Sequence, residues 1–387
     1  MASCLLVLAL LCSQETLEKR RDDLAAKLES LRGLAFKSPL KIREGTRKEY
    51  AAYVLENARR VYGANLSAAE KGLKALGLVP SKLRLDIALT VHAGLGTKAF
   101  CTGGELVLLD RDAGDEWLLN KMNLGLVDQR YAPAIAATYD AQMAFAALRM
   151  GDAEVIKHLL WTSNKITGET LRKVADETDA WERGDSRFAS AVVPRLFIRT
   201  ADFAWRRGAV FALSLFVRGG LRALDQAYAR PPLSTEQVIH PEKYLRGEKP
   251  VTIDPASVEE YLAGKGYQAL YRTVLGELGA AILLETHFSK EDLSAASEGW
   301  GGDTFVVFEK KGSPALVLWV TEWDGEPDAV EFQAQAFRLL QRVPPADGPF
   351  SAAALRRNSS VVFAINVPPE LKDDLLDVVW KCKRVRD

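Results

Sequence analysis

Trp117–Tyr131, WLLNKMNLGLVDQRY, is the stretch on which the architecture turns. It reads as a helix, and it follows closely on Lys98–Asp110, KAFCTGGELVLLD, which reads as two short strands around a Gly103-Gly104 turn. A small hairpin therefore feeds directly into a helix. Upstream, residues 15–32 set Leu17, Leu24, Leu28 and Leu31 amid dense charge, the pattern of an amphipathic helix. Thr46–Tyr62 repeats that pattern. Ser67 with Glu70 three residues on is a capping-box signal for a further helix, which Gly77 and Pro80 close.

Downstream, residues 134–230 are helical in pattern, in runs over 134–150, 170–179 and 201–217, and Gly219-Gly220 breaks the last of these. Asp202, Arg206 and Arg207 mark its polar side, a solvated face in preference to an anion site. Pro231-Pro232 opens an irregular passage to Pro255, and 267–297 returns to helix. The C-terminal part changes texture. Thr304–Glu309 and Ala315–Trp323 alternate around Lys311-Gly312-Ser313-Pro314, a hairpin signal; 329–342 reads as helix, 360–367 as strand and 369–381 as helix. The expectation is an α+β fold: a mainly helical region over 14–298, with a strand-strand-helix-strand-helix unit over 299–387.

The 387 residues suit one large or two closely packed domains, and 48% hydrophobic residues supply a sizeable core. Lys plus Arg and Asp plus Glu balance at 51 each, so electrostatics gives no reason to expect nucleic acid or an acidic membrane surface as partner. Cys4–Cys12, CLLVLALLC, is too short to span a bilayer, which takes roughly 20 apolar residues, but suits the core of a secretory signal over residues 1–13. No Lys or Arg precedes it. Export is the favoured reading, a buried helix start in a cytoplasmic protein the alternative. Cys101 and Cys382 would then remain, and two unpaired thiols are favoured over a disulfide.

Several blocks, in one order, carry a resemblance. They are Phe100–Leu109; Leu126, Asp128 and Gln129; Asp140, Ala147, Leu148 and Gly151-Asp152-Ala153; Pro231–Gln237 with His240-Pro241-Glu242-Lys243-Tyr244; Gly299–Asp303; and Asp328-Ala329 with Glu331-Phe332. Together they resemble a largely uncharacterised group of exported bacterial proteins regarded as zinc metallopeptidases, whose metal helix reads H-E-x-x-H-A-L-Q-D-Q. The resemblance runs from about residue 30 to about residue 345. It implies a metallopeptidase-like scaffold in which two His on successive helix turns bind zinc and the intervening Glu activates water.

Position by position, this chain has Asn120 and Leu124 for the two His, Lys121 for the Glu, and Met150 for the later acidic ligand. Leucine cannot ligate, an amide and a thioether are poor partners for hydrolytic zinc, and Lys121 adds positive charge. The resemblance therefore implies an inactive relative without cofactor or metal, binding a peptide or protein segment in an inherited cleft. Asp128, Gln129, Asp152, Glu236, Gln237 and His240 are the candidate cleft residues. For Ser234 and Gln237 an N-cap box, and for His240 a hydrogen-bonded anchor, outweigh a substrate role. Lys121 is expected to pair with Glu236 or Asp152, since an ammonium buried alone is costly.

Two rivals stand: a peptidase using another metal set, for which His158, His240 and Asp152 are the conceivable ligands, and a structural or assembly component with a filled cleft. Trp300, Trp319, Trp323 and Phe332 read as core.

Overall fold

Alternation sets the C-terminal layer. In a computed structural model describing residues 2–94, 96–131, 137–161, 165–183, 193–288 and 297–386, the side chains of 2–15 remain outside the description, and with them the signal-segment reading. The chain runs α1 (Ala2–Arg32), β1 (Lys41–Glu44), α2 (Arg47–Tyr62), α3 (Leu66–Ala75), α4 (Leu85–Gly94), β2 (Ala99–Thr102), β3 (Glu105–Leu108), α5 (Asp115–Arg130) and α6 (Tyr139–Trp161). It continues with α7 (Gly168–Arg183), α8 (Arg195–Asp202), a π-helical turn at Phe203–Arg207, α9 (Gly208–Ala229), α10 (Thr235–Ile239) and α11 (Pro241–Arg246). The last part is β4 (Thr252–Asp254), α12 (Ala256–Ala263), β5 (Gln268–Thr273), α13 (Gly276–His287), β6 (Trp300–Glu309), β7 (Leu316–Trp323) and α14 (Glu326–Leu340). Then come β8 (Ser351–Arg357), β9 (Ser360–Val367), α15 (Lys372–Val379) and β10 (Lys383–Val385). The fold is α+β, with helix predominating.

Five strands form one antiparallel sheet in the order β5-β6-β7-β9-β8. Phe305, Val307, Trp319, Phe363 and Ile365 face the main core, where α14 packs through Phe332, its ring 5.4 Å from that of Trp319. Val306, Phe308, Leu318, Val320 and Val362 face the other way, covered by α12 and α15. Burial on both faces is why the central strands read as nearly unbroken apolar runs.

The expected hairpin, helix, strand and helix are all present here, but the sheet is larger. β5 lies in the stretch read as helix over 267–297, of which 289–296 fall outside the described residues. With Tyr271 partly buried and Thr273 buried, β5 pairs with β6, and sheet hydrogen bonding overrides a local pattern shared with α13. β8, Ala-rich at an edge, was not foreseen. The passage over 231–255 is more regular than expected, folding into α10, α11 and β4.

The N-terminal region centres on α5, which is buried on most sides, as expected of a helix enclosed by others. Asp115 and Glu116 in its first turn and Arg130 in its last complement the helix dipole. β2 and β3 form the anticipated hairpin through Gly103-Gly104, and β1 adds to it in parallel. Thr46 caps α2 with a complete capping box. The cap of α3 is Asn65, which accepts from Ala68 N at 3.3 Å, and not Ser67. Glu70 is drawn away to Leu85 N (2.7 Å) and Lys74 (2.6 Å).

α6 and α9 cross where both backbones lack side chains. A Cβ on Gly151 would run into Gly208 O, and one on Gly208 into Ala147 O. The Gly151-Asp152-Ala153 block is thus first a packing requirement. Gly219 and Gly220 leave helical geometry inside α9, as the sequence break suggested. Among the described residues, no helix is long and apolar enough to cross a membrane.

Candidate functional site

Of the metal-helix positions, Asn120 borders α1 and α6. α5 and α6 pair antiparallel, with Asp128 ion-paired to Arg149 at 2.6 Å, Asn123 Nδ2 donating to Asp152 Oδ2 at 3.2 Å, and Asn120 near Ala153. At the centre of this pairing lies a group the sequence reading missed. Arg32, in the last turn of α1, places Nη2 3.1 Å from Asp152 Oδ2 and 3.0 Å from Asp225 Oδ1. The Arg32 and Asp152 side chains are both fully buried. Tyr228 Oη also donates to Asp152 Oδ2, at 3.0 Å. One guanidinium thereby ties α1, α6 and α9 together, and Asn123 brings in α5.

Burial pushes the Asp152 carboxyl above the usual carboxylate range, against the pull of Arg32, Tyr228 and Asn123. Burial also works against the Arg32 cation, but Asp152 and Asp225 outweigh it and raise its pKa. The guanidinium and two neutral donors meet on one carboxylate oxygen.

The substituted ligand positions do not fit zinc. Asn120 is buried with Oδ1 lacking a partner, while Leu124 and Met150 are half-buried and supply no anionic donor. Lys121 corrects an expectation. It pairs with neither Glu236 nor Asp152; its Nζ sits 5.2 Å from the Trp117 ring centroid, and no carboxylate lies within ion-pair reach among the described residues. Burial, with Arg149 adding to it, pushes the amine down to about 8. The physical reason is competition: Asp152 is already held by Arg32, and Glu236 by Lys243 on another element. Cys101 and Cys382 are free thiols, as favoured.

The candidate cleft residues do not form one cleft. Gln129 ties α5 to the β1 approach, its Oε1 accepting from Lys37 N at 2.8 Å and its Nε2 donating to Ser38 O at 3.0 Å. Glu236, Gln237 and His240 lie beside the N-terminal end of α6, about 18 Å along its axis from Asp152 by helical rise. Each has a structural partner. Ser234 caps α10 through Gln237 N (3.3 Å), and Gln237 Oε1 accepts from Leu233 N (2.7 Å). His240 Nε2 meets Glu277 Oε1 at 3.0 Å. The hydrogen bond to Glu277 and the surrounding acids raise the imidazole pKa, with burial opposing.

Among the described residues, Glu236, Glu248 and Asp324 are the acidic or histidine side chains grouped closely enough to share an ion. The Lys243 ammonium already fills their centre, 3.3 Å from Glu248 and 2.6 Å from Asp324, besides its contact with Glu236. Burial disfavours that ammonium, yet the hydrogen bonds to Asp324 and Glu236 raise its pKa. His158, His240 and Asp152 are not brought together as a ligand set.

Two of the surface concavities bear on these residues. A groove of about 350 Å³ between α1, α5 and α6 has an apolar floor of Leu24, Leu119, Ile156 and Leu160, and Asn120 in its wall. A second cleft, of about 690 Å³, lies between the start of α6, the β5–α13 junction, β6 and the β4–β10 ribbon, and includes Asp140 and Asp303.

A family profile described as "Domain of unknown function (DUF8575)" matches residues 266–375, from the edge strand β5 into α15. No curated protein and no solved structure matches the chain. The matched segment holds the sheet and one wall of the second cleft, and leaves α5 and α6 outside it.

Proposed function

We propose that the protein is a non-catalytic relative of zinc metallopeptidases, exported, that binds a peptide or protein segment in the groove between α1, α5 and α6. The observation that carries this reading is Asn120. At the position of a first zinc ligand, the residue lines an apolar groove open to solvent, and its amide oxygen, buried beneath that surface, lacks a protein partner. An unpaired buried acceptor costs roughly 1–3 kcal/mol, which a backbone N–H from an extended segment would recover once the amide turns its oxygen toward the groove. Lys27 and Glu116 at the rim offer charges of both signs to the occupant.

The zinc-dependent alternative lacks ligands at α5, and Lys243 would have to leave its three carboxylates before an ion could enter there. A filled cleft is disfavoured by the groove's open volume. The test is peptide-library selection on the full chain, followed by fluorescence polarisation with the selected peptides. Leu160→Glu, on the partly exposed floor, and Asn120→Leu should each weaken binding about tenfold or more. Chelator-sensitive cleavage of the same peptides would overturn the proposal, as would affinities that neither substitution alters.

A further inference from the structure

The second cleft is a separate case, independent of the groove at Asn120. At its floor Asp140 is 1% exposed. Its Oδ1 accepts from both Thr235 N, at 2.9 Å, and Thr235 Oγ1. Its Oδ2 receives no hydrogen bond among the described residues. The adjacent acid differs. Asp303 accepts from Leu275 N at 2.9 Å through Oδ1, and from Gly276 N at 2.8 Å and Trp300 Nε1 at 3.0 Å through Oδ2.

Asp303 is thus a satisfied anchor for the start of α13, whereas Asp140 has one oxygen unmet and lies in the field of Asp303 and Glu236. Gly276 keeps the two acids close, because a Cβ there would collide with Asp140 Oδ1. A buried carboxylate packed beside a second acid calls for a cation or a proton at its free oxygen. A single free oxygen cannot chelate a metal, but it suits one ammonium N–H. The rim carries the opposite sign. Arg272, 56% exposed in its side chain, has only a loose partner in Glu259 at 3.6 Å, and Lys383 also lines the cleft. Leu233, Val274 and Val385 line the wall in apolar groups.

We infer that this cleft binds a small zwitterion, its ammonium on Asp140 Oδ2 and its carboxylate at Arg272, the chemistry shared by amino acids and short peptides. The test uses the full chain and calorimetric titration with four probes: 5-aminopentanoate, pentylamine, pentanoate and the dipeptide Gly-Gly. The two zwitterions should bind, and the better of them identifies the ligand length. Pentylamine and pentanoate should each bind about tenfold more weakly than 5-aminopentanoate, since each loses one charge-assisted contact. Asp140→Asn preserves shape and an acceptor for Thr235; it should weaken 5-aminopentanoate and pentylamine about tenfold and leave pentanoate unchanged. Arg272→Ala, at a largely exposed side chain, should do the reverse. Equal binding of pentylamine and pentanoate to wild type and both variants overturns the inference, and so does the absence of heat from either zwitterion.

Discussion

Replacing Arg32 by methionine removes a fully buried guanidinium while keeping most of the side chain's length. Asp152 is then left without a cation, its Oδ2 held only by Asn123 and Tyr228 and its Oδ1 without a partner. Breaking a buried ion pair from one side costs about 3–5 kcal/mol, because the surviving charge stays desolvated. Asp225, 27% exposed, can rehydrate and adds little. An unfolding entropy of about 2.1 cal/mol/K per residue over 387 residues gives roughly 0.8 kcal/mol/K, so the loss corresponds to a Tm lower by about 4–6 °C. Asp152→Asn should cost less, about 1–3 kcal/mol, since Arg32 keeps Asp225. The double variant removes both charges and should fall near the Asp152→Asn value, a coupling of about 2 kcal/mol or more. Urea unfolding and calorimetry on the four proteins close the cycle. A cost below about 1 kcal/mol for Arg32→Met, or simple additivity in the double variant, would refute the idea that this guanidinium cross-links the helices.

Three further expectations follow from the geometry. Gly151→Ala places a Cβ against the Gly208 carbonyl, a backbone clash that no side-chain motion relieves, and should destabilise by about 3 kcal/mol or more in thermal unfolding; a neutral result would show that α6 and α9 do not cross there. Burial pushes Asp140 up to about 8 and Asp303 up to about 6, so between the ~3.9 of an unfolded aspartate and these values the folded state binds more protons. Their contribution is present below about pH 4 and lost as pH rises through 6 and 8, and Asp140→Asn should flatten the decline seen in urea unfolding over that range. Lys121, pushed down to about 8 from the ~10.4 of a free lysine, binds fewer protons folded than unfolded between those values, so its penalty is relieved as pH rises through them. Lys121→Met should therefore raise Tm at neutral pH and lose that advantage toward pH ~10.5; a lowered Tm at neutral pH would contradict the unpaired-ammonium description.

Local signals in the chain carried much of the architecture. The β2–β3 hairpin follows from Gly103-Gly104, the break in α9 from Gly219-Gly220, and β9 from the apolar run at 360–367, because each rests on interactions between near neighbours. What escaped depends on distant pairing. β1 joins β3 across some sixty residues, and β5 is a strand because β6 lies beside it. Ser67 lost the cap of α3 to Asn65, two residues away, where the chain turns.

The site was partly legible for the same reason. Reading Asn120, Lys121, Leu124 and Met150 against a ligand pattern identifies what they cannot bind. It says nothing of Arg32, which acts across 120 residues on Asp152. A signal was nevertheless present: Arg32 continues the Leu24–Leu28 stripe at the i, i+4, i+8 spacing, a charge on the buried face of an amphipathic helix. Such a charge requires an opposite one inside. The predicted Lys121 pair failed because the expected acids already had closer cations.

The most direct test of the central claim is zinc content by mass spectrometry after equilibration of the full chain with excess zinc and removal of the free ion, run beside Asp152→Asn. The account predicts substoichiometric zinc in both proteins, because Arg32 holds the buried carboxylate that joins α5 to α6 among the described residues and the ligand positions are amide, amine, leucine and thioether. One tightly held zinc per chain that disappears in Asp152→Asn would contradict it.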